Sequence, residues 1–149
     1  MRNKIIIALL FICQGFSASS QEPVQWNFST KRIDEKTFEM HLTGTITSPW
    51  HIYSQFTPTG GPVATQISFS NNPIIAMIDK VREIGSLEQH HEPLFGVDVK
   101  QFSGIVDFVQ VVQLKANVKT SVTGTIKYMT CNDKECLPPK TIPFTIIIK

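Results

Sequence analysis

Apolar residues in this chain recur at every second position, and spacing that would gather them on one face of a helix is scarce. Phe38, Met40 and Leu42 alternate with Glu39, His41 and Thr43, the pattern of a strand with one buried face. Trp50, Ile52 and Gln55 to Phe56 read as a second extended piece after a Ser48-Pro49 turn, and Ile67 with Phe69 as a third before the Asn71-Asn72-Pro73 break. Ile74 to Ile78 and Val81 to Ile84 are short ambiguous runs, each compatible with a single helical turn, and Gly85 is expected to end them. Ile105 to Leu114 is apolar enough for a central strand covered on both faces. Val122, Ile126 and Tyr128 mark the next strand, and Ile142, Phe144, Ile146 and Ile148 the last. Pro143 lies within that last strand and lacks an N–H, so it belongs at an edge or a bulge. Short strands about 8 to 12 residues apart, punctuated by Pro, Gly and Asn, point to an all-β, immunoglobulin-like antiparallel β-sandwich.

The first residues differ in kind. Met1-Arg2-Asn3-Lys4 precedes an apolar run from Ile5 to Ile12 and then small residues through Ser20, the layout of a cleaved secretory signal peptide over residues 1–20. The run is well short of the roughly 20 apolar residues of a spanning helix. Residues 21–149 then suit one domain around one core. Of 14 basic and 12 acidic residues, Arg2 and Lys4 leave with the leader, so the remainder is balanced and carries no electrostatic footprint for nucleic acid. Of the three cysteines, Cys13 also leaves. In the oxidising compartment an exported chain meets, Cys131 and Cys136 remain to pair with each other.

Between them lie Asn132, Asp133, Lys134 and Glu135, turn-forming residues that fit a hairpin loop closed by opposed cysteines. Closing so short a ring restricts the unfolded chain little, on the order of 2 kcal/mol by loop entropy. Such a bond can be a structural staple of an interaction module, or a dithiol that opens without unfolding the domain. Neither cysteine sits at a helix N-terminus, the usual device for lowering a thiol pKa, so selectivity would come from shielding and docking.

The stretch YMTCNDKECLPPKTIPF, Tyr128 to Phe144, resembles the N-terminal periplasmic domain of the bacterial thiol:disulfide interchange protein DsbD, whose pattern is a Tyr, a cysteine pair, and an aromatic or Leu before Pro-Pro. SPWHIY, Ser48 to Tyr53, is similar to that family's aromatic strand beside the cysteines, and EPLFG, Glu92 to Gly96, to its cap loop. The resemblance implies a monomeric, cofactor-free periplasmic domain that takes electrons from a membrane-embedded or thioredoxin-like thiol donor on another chain. It would pass them to oxidised periplasmic thioredoxin-fold proteins. Cys136 would form the mixed disulfides and Cys131 would resolve them. Glu92, Pro93, Leu94, Phe95 and Gly96 would shield the site, with Leu94 or Phe95 as the covering side chain. Trp50, His51, Tyr53 and Tyr128 would form an aromatic platform.

Two departures stand out. This chain has four residues between its cysteines where well-known members have five, and Pro93 replaces the second acid of the family's cap loop, leaving only Glu92. Other readings of the same residues are plain packing for Trp50, His51 and Tyr53 and for Leu94 and Phe95, and a copper or zinc site in which His90 and His91 join Met129 and the cysteines. A lone C-x4-C pair without a second ligand pair argues against metal, and none is expected.

Overall fold

The computed structural model describes residues 22–149; the expected leader over 1–20, Cys13 included, lies outside the described residues. Among these, the chain forms nine strands and no helix: β1 Val24–Arg32, β2 Thr37–Ile46, β3 His51–Tyr53, β4 Gln66–Phe69, β5 Ile75–Glu92, β6 Val97–Leu114, β7 Thr120–Tyr128, β8 Thr130–Cys131 and β9 Lys140–Ile148. They build two antiparallel sheets, β1-β2-β6-β3-β8 with β5 on the other edge of β6, and β4-β7-β9. This is the expected immunoglobulin-like sandwich.

β6 is the spine. One of its edges is shared, with Ile105–Gln113 pairing β2 and Gln101–Phe102 pairing β3, while the other runs along β5. The link from β2 to β3 contains a cis Ser48-Pro49 bond. The alternating residues do what their period requires. Phe38, Met40, Leu42, Ile52, Phe102, Val106, Phe108 and Val112 of the larger sheet share one core with Val122, Ile126, Tyr128, Phe144, Ile146 and Ile148 of the smaller. Burying each such side chain is worth about 1.5–3 kcal/mol.

Three local expectations change. The two ambiguous runs are not helical and Gly85 ends nothing: both belong to β5, which bends at register shifts between Ile78/Arg82 and Gly85/Leu87. Asp79, at φ 59°, takes up the first of them, a backbone conformation that Asp tolerates better than most residues. Gln55 and Phe56 are turn rather than strand, because side chains satisfy their N–H groups: Gln55 donates to Glu83 Oε1 (2.6 Å) and Phe56 to Ser54 Oγ (3.0 Å). Ile105, expected under cover, is 61% exposed, although β6 is central as read. Pro143 sits in β9, which among the described residues pairs with β7 alone, so its missing N–H breaks no ladder in the middle of a sheet.

Candidate disulfide site

After Tyr128 the chain leaves the smaller sheet, and Thr130–Cys131 joins the end of the larger one as β8, with Cys131 directly opposite His51 and Thr130 opposite Ile52. Opposed residues share a face and neighbours along a strand do not. Ile52 therefore enters the main core, while His51, Tyr53 and Cys131 point the other way. There Tyr53, Val99 and Cys131 form a second, separate core, against which Val97, Met129 and Cys136 pack.

Cys131 and Cys136 are joined by a disulfide, with Cα atoms 4.1 Å apart in an isolated antiparallel bridge. The loop between them holds itself. Asn132 Oδ1 accepts the N–H groups of Lys134 (2.8 Å) and Glu135 (2.9 Å), Asn132 N–H donates to Glu135 O (2.9 Å), and Leu137 N–H donates to Thr130 O (2.9 Å). None of these bonds involves sulfur, so the turn's closure does not rest on the S–S bond alone. The two sulfur-bearing residues differ in access: Cys131 is 0% exposed, and Cys136 is half-buried.

Polar groups are buried beside the sulfur. Tyr53 OH donates to Glu92 Oε2 at 3.1 Å, and His51 Nε2 lies 3.1 Å from Tyr53 Oη and 3.6 Å from Glu92 Oε2. Burial holds the His51 imidazole below its ordinary pKa, against the opposing pull of the Glu92 carboxylate, so the ring is neutral near pH 7. Burial and then the Glu92 charge push the Tyr53 phenol far up, so it stays a donor.

Glu92 also ties this cluster to the β5–β6 turn. Its carbonyl accepts Phe95 N–H (3.2 Å) and Gly96 N–H (2.8 Å), and Gly96 takes a positive φ of 67° there. The turn itself carries Leu94 and Phe95, 47% and 36% exposed, so neither is core. Of the residues singled out from sequence, the fold thus brings together Cys131, Cys136, His51 and Tyr53, with Glu92 bonded to Tyr53 and Pro93 to Gly96 on the adjoining turn. Trp50 and Tyr128 pack in the main core instead, Tyr128 edge-on to Trp26 at 5.4 Å.

Sequence reading missed Val97, Val99 and the loop after β3. That loop lies over the site, with Val63 N–H reaching Met129 Sδ at 3.4 Å and Gly61 so close to Val97 that a Cβ there would collide. Val97 and Val99 alternate with Asp98 and Lys100, a signal that a longer reading of β6 would have caught. His90 and His91 point to opposite faces of β5: His90 Nε2 is 4.0 Å from Glu92 Oε2, and His91 Nδ1 is 3.0 Å from Asp98 Oδ1. Among the described residues no three His, Cys, Asp or Glu side chains are grouped to hold a metal, and both cysteines are bonded to each other.

No family model and no curated protein matches the sequence. Among solved structures, the chain is similar to the N-terminal periplasmic domain of ScsB from Proteus mirabilis, with a TM-score of 0.59 and 13% identity over 87% of this chain and 47% of that one. It also matches the DsbD N-terminal domain of Neisseria meningitidis in the reduced form (TM-score 0.45, 12% identity, 83% and 84% covered). A third match is the same organism's complex between DsbD N-terminal and PilB N-terminal domains (0.45, 11%, 79% and 80%). The chain spans about half the length of the ScsB structure. At 13% identity that likeness establishes a shared fold: this chain has the fold of the ScsB N-terminal periplasmic domain.

Proposed function

We propose that residues 21–149 form an exported thiol:disulfide interchange domain, freed of its leader at residue 20 and working in the periplasm without a bound cofactor. One observation carries the reading: the disulfide closes a six-residue ring in a small core of its own, with one cysteine sealed and the other reachable. Opening it leaves the main core untouched. The fold shared with a periplasmic ScsB domain supports the same compartment.

In the reduced state the Cys136 thiolate attacks a partner disulfide, forming a mixed disulfide and expelling one partner thiolate. Cys131, as thiolate, then attacks the Cys136 sulfur, closes the ring and releases the second partner thiol. Two electrons and two protons leave the domain for the partner. In the reverse half-cycle a donor thiolate attacks sulfur 136 of the oxidised form. The donor is a membrane-embedded or thioredoxin-like thiol protein, and the acceptors are oxidised thioredoxin-fold proteins. The Glu92–Gly96 turn moves aside as either partner docks, with exposed Leu94 and Phe95 as the covering side chains.

Single-cysteine variants test the roles. With Cys131→Ser, mixed disulfides to partners accumulate on non-reducing gels; with Cys136→Ser they do not. Equal trapping by both variants overturns the assignment.

A further inference from the structure

His51 has a task only if Cys131 and Cys136 cycle as a dithiol, as proposed above. In that cycle the sealed cysteine meets a difficulty that the reachable one does not. Cys131 must lose its proton before it can attack sulfur 136, yet it is fully buried, and burial in apolar surroundings disfavours a thiolate. Val99, Val97 and Met129 around it offer no proton acceptor. A basic side chain stands directly opposite it. His51 is its register partner across β3 and β8, and side chains of such pairs start from Cβ atoms about 4.5–5.5 Å apart on the same face.

The hydrogen bonds around His51 fix which ring nitrogen is free. Tyr53 gives its single hydroxyl proton to Glu92 Oε2, so its oxygen can only accept from His51 Nε2 at 3.1 Å. Nε2 therefore carries the proton of the neutral imidazole and Nδ1 holds the lone pair. Among the described residues no group hydrogen-bonds Nδ1. In the oxidised protein the sulfur opposite has no proton to give; on reduction it acquires one. Glu92 is then placed to stabilise the imidazolium through Tyr53 and at 3.6 Å from Nε2. The other charged or titratable groups facing His51 are His90 and Glu88 from β5 and Asp133 from the cysteine loop.

We propose that His51 is the proton acceptor for Cys131: its Nδ1 takes the thiol proton as Cys131 attacks the mixed disulfide at Cys136, and returns it to the departing partner thiolate. The S–H bond of Cys131 breaks, the 131–136 S–S bond forms, and the bond from Cys136 to the partner breaks. The partner sulfur leaves with the electron pair and is protonated from the imidazolium. No further reactant is consumed. His51 thereby controls ring closure and not the first attack, which Cys136 makes from the accessible side.

The reduced wild-type domain and the His51→Gln variant, mixed with an aromatic disulfide whose weakly basic thiolate leaves coloured and unprotonated, the imidazolium then giving its proton to solvent, separate the two steps in stopped flow. Gln keeps a donor for the Tyr53 oxygen and removes the basic nitrogen. The first release should be the same in both proteins within about twofold, while the second should be roughly a hundredfold slower in the variant near pH 7, the scale of a lost general base. The gap should close as pH rises past the ordinary thiol value of about 8.5. In the wild type the second release should fall away in acid, as the imidazole protonates below its ordinary pKa of about 6.5. Equal second phases, or a slowing by one constant factor at every pH, would overturn the proposal. If the variant does not fold, the wild-type profile decides alone: a second phase that follows only thiol ionisation, with no inflection in acid, would overturn it too. A wild-type domain that releases no coloured thiolate at all sinks the dithiol reading itself, a different outcome from equal second phases.

Discussion

Tyr53 shows how one side chain can join two parts of the molecule. Its ring belongs to the small core with Cys131, and its hydroxyl binds the buried Glu92 carboxylate, 2% exposed, at the base of the β5–β6 turn. Tyr53→Phe leaves that carboxylate without its phenol donor, at an expected cost of about 1–3 kcal/mol in denaturant unfolding. His51 adds a pH dependence whose sign follows from its depressed pKa. Between the lowered folded value and the unfolded value of about 6.5, the unfolded chain binds more protons, so stability rises with pH through that window and is lost as pH falls through it. The difference between wild type and His51→Gln should shrink as a urea series is taken from about pH 7 toward pH 5. A difference that stays constant over that range would mean His51 is not held neutral by the fold. The residue pattern displayed the cysteine pair and the aromatic strand, but not the Tyr53–Glu92 bond. Those two residues are 39 positions apart and meet only because β3 and β5 flank the same end of β6.

At the scale of elements, alternation disclosed β2, β7 and β9 because each buries one face in the main core. β1 is hard to read from sequence, although Val24, Trp26 and Phe28 alternate, because its second half is polar and exposed. β5 reads as separate short runs for a related reason: an edge strand with two register shifts loses its period at each one. Close approach between strands makes one position intolerant. A Cβ on Gly124 of β7 would collide with the Ser68 carbonyl oxygen of β4 and the Phe144 ring of β9, so Gly124→Ala should cost about 1–3 kcal/mol by thermal or denaturant unfolding. The β5–β6 turn should behave in the opposite way. Leu94 and Phe95 are outside the main core, so Leu94→Ala and Phe95→Ala should change stability by no more than about 0.5 kcal/mol while altering how fast dithiothreitol opens the disulfide. A large stability loss with an unchanged reduction rate would make them packing residues instead of a cover.

For the whole molecule, the fold class followed from the period of the apolar residues, and the cysteine pairing from their number once the expected leader is set aside. The division into a large core and a small one did not. It arises because the chain crosses between sheets at Met129, so that Tyr128 faces the sandwich interior while Cys131 faces the outer side of the larger sheet. No local spacing encodes such a crossing. The redox reading depends on that division, since the sulfur ring can open freely only where the main core does not rest on it. A glutathione titration of residues 21–149, with tryptophan near-ultraviolet circular dichroism recorded at each point, measures this directly. The account predicts that the Cys131–Cys136 bond equilibrates at a potential above about −300 mV while the tertiary signal persists. A bond that resists glutathione below that potential, or a tertiary signal lost in step with reduction, would contradict it.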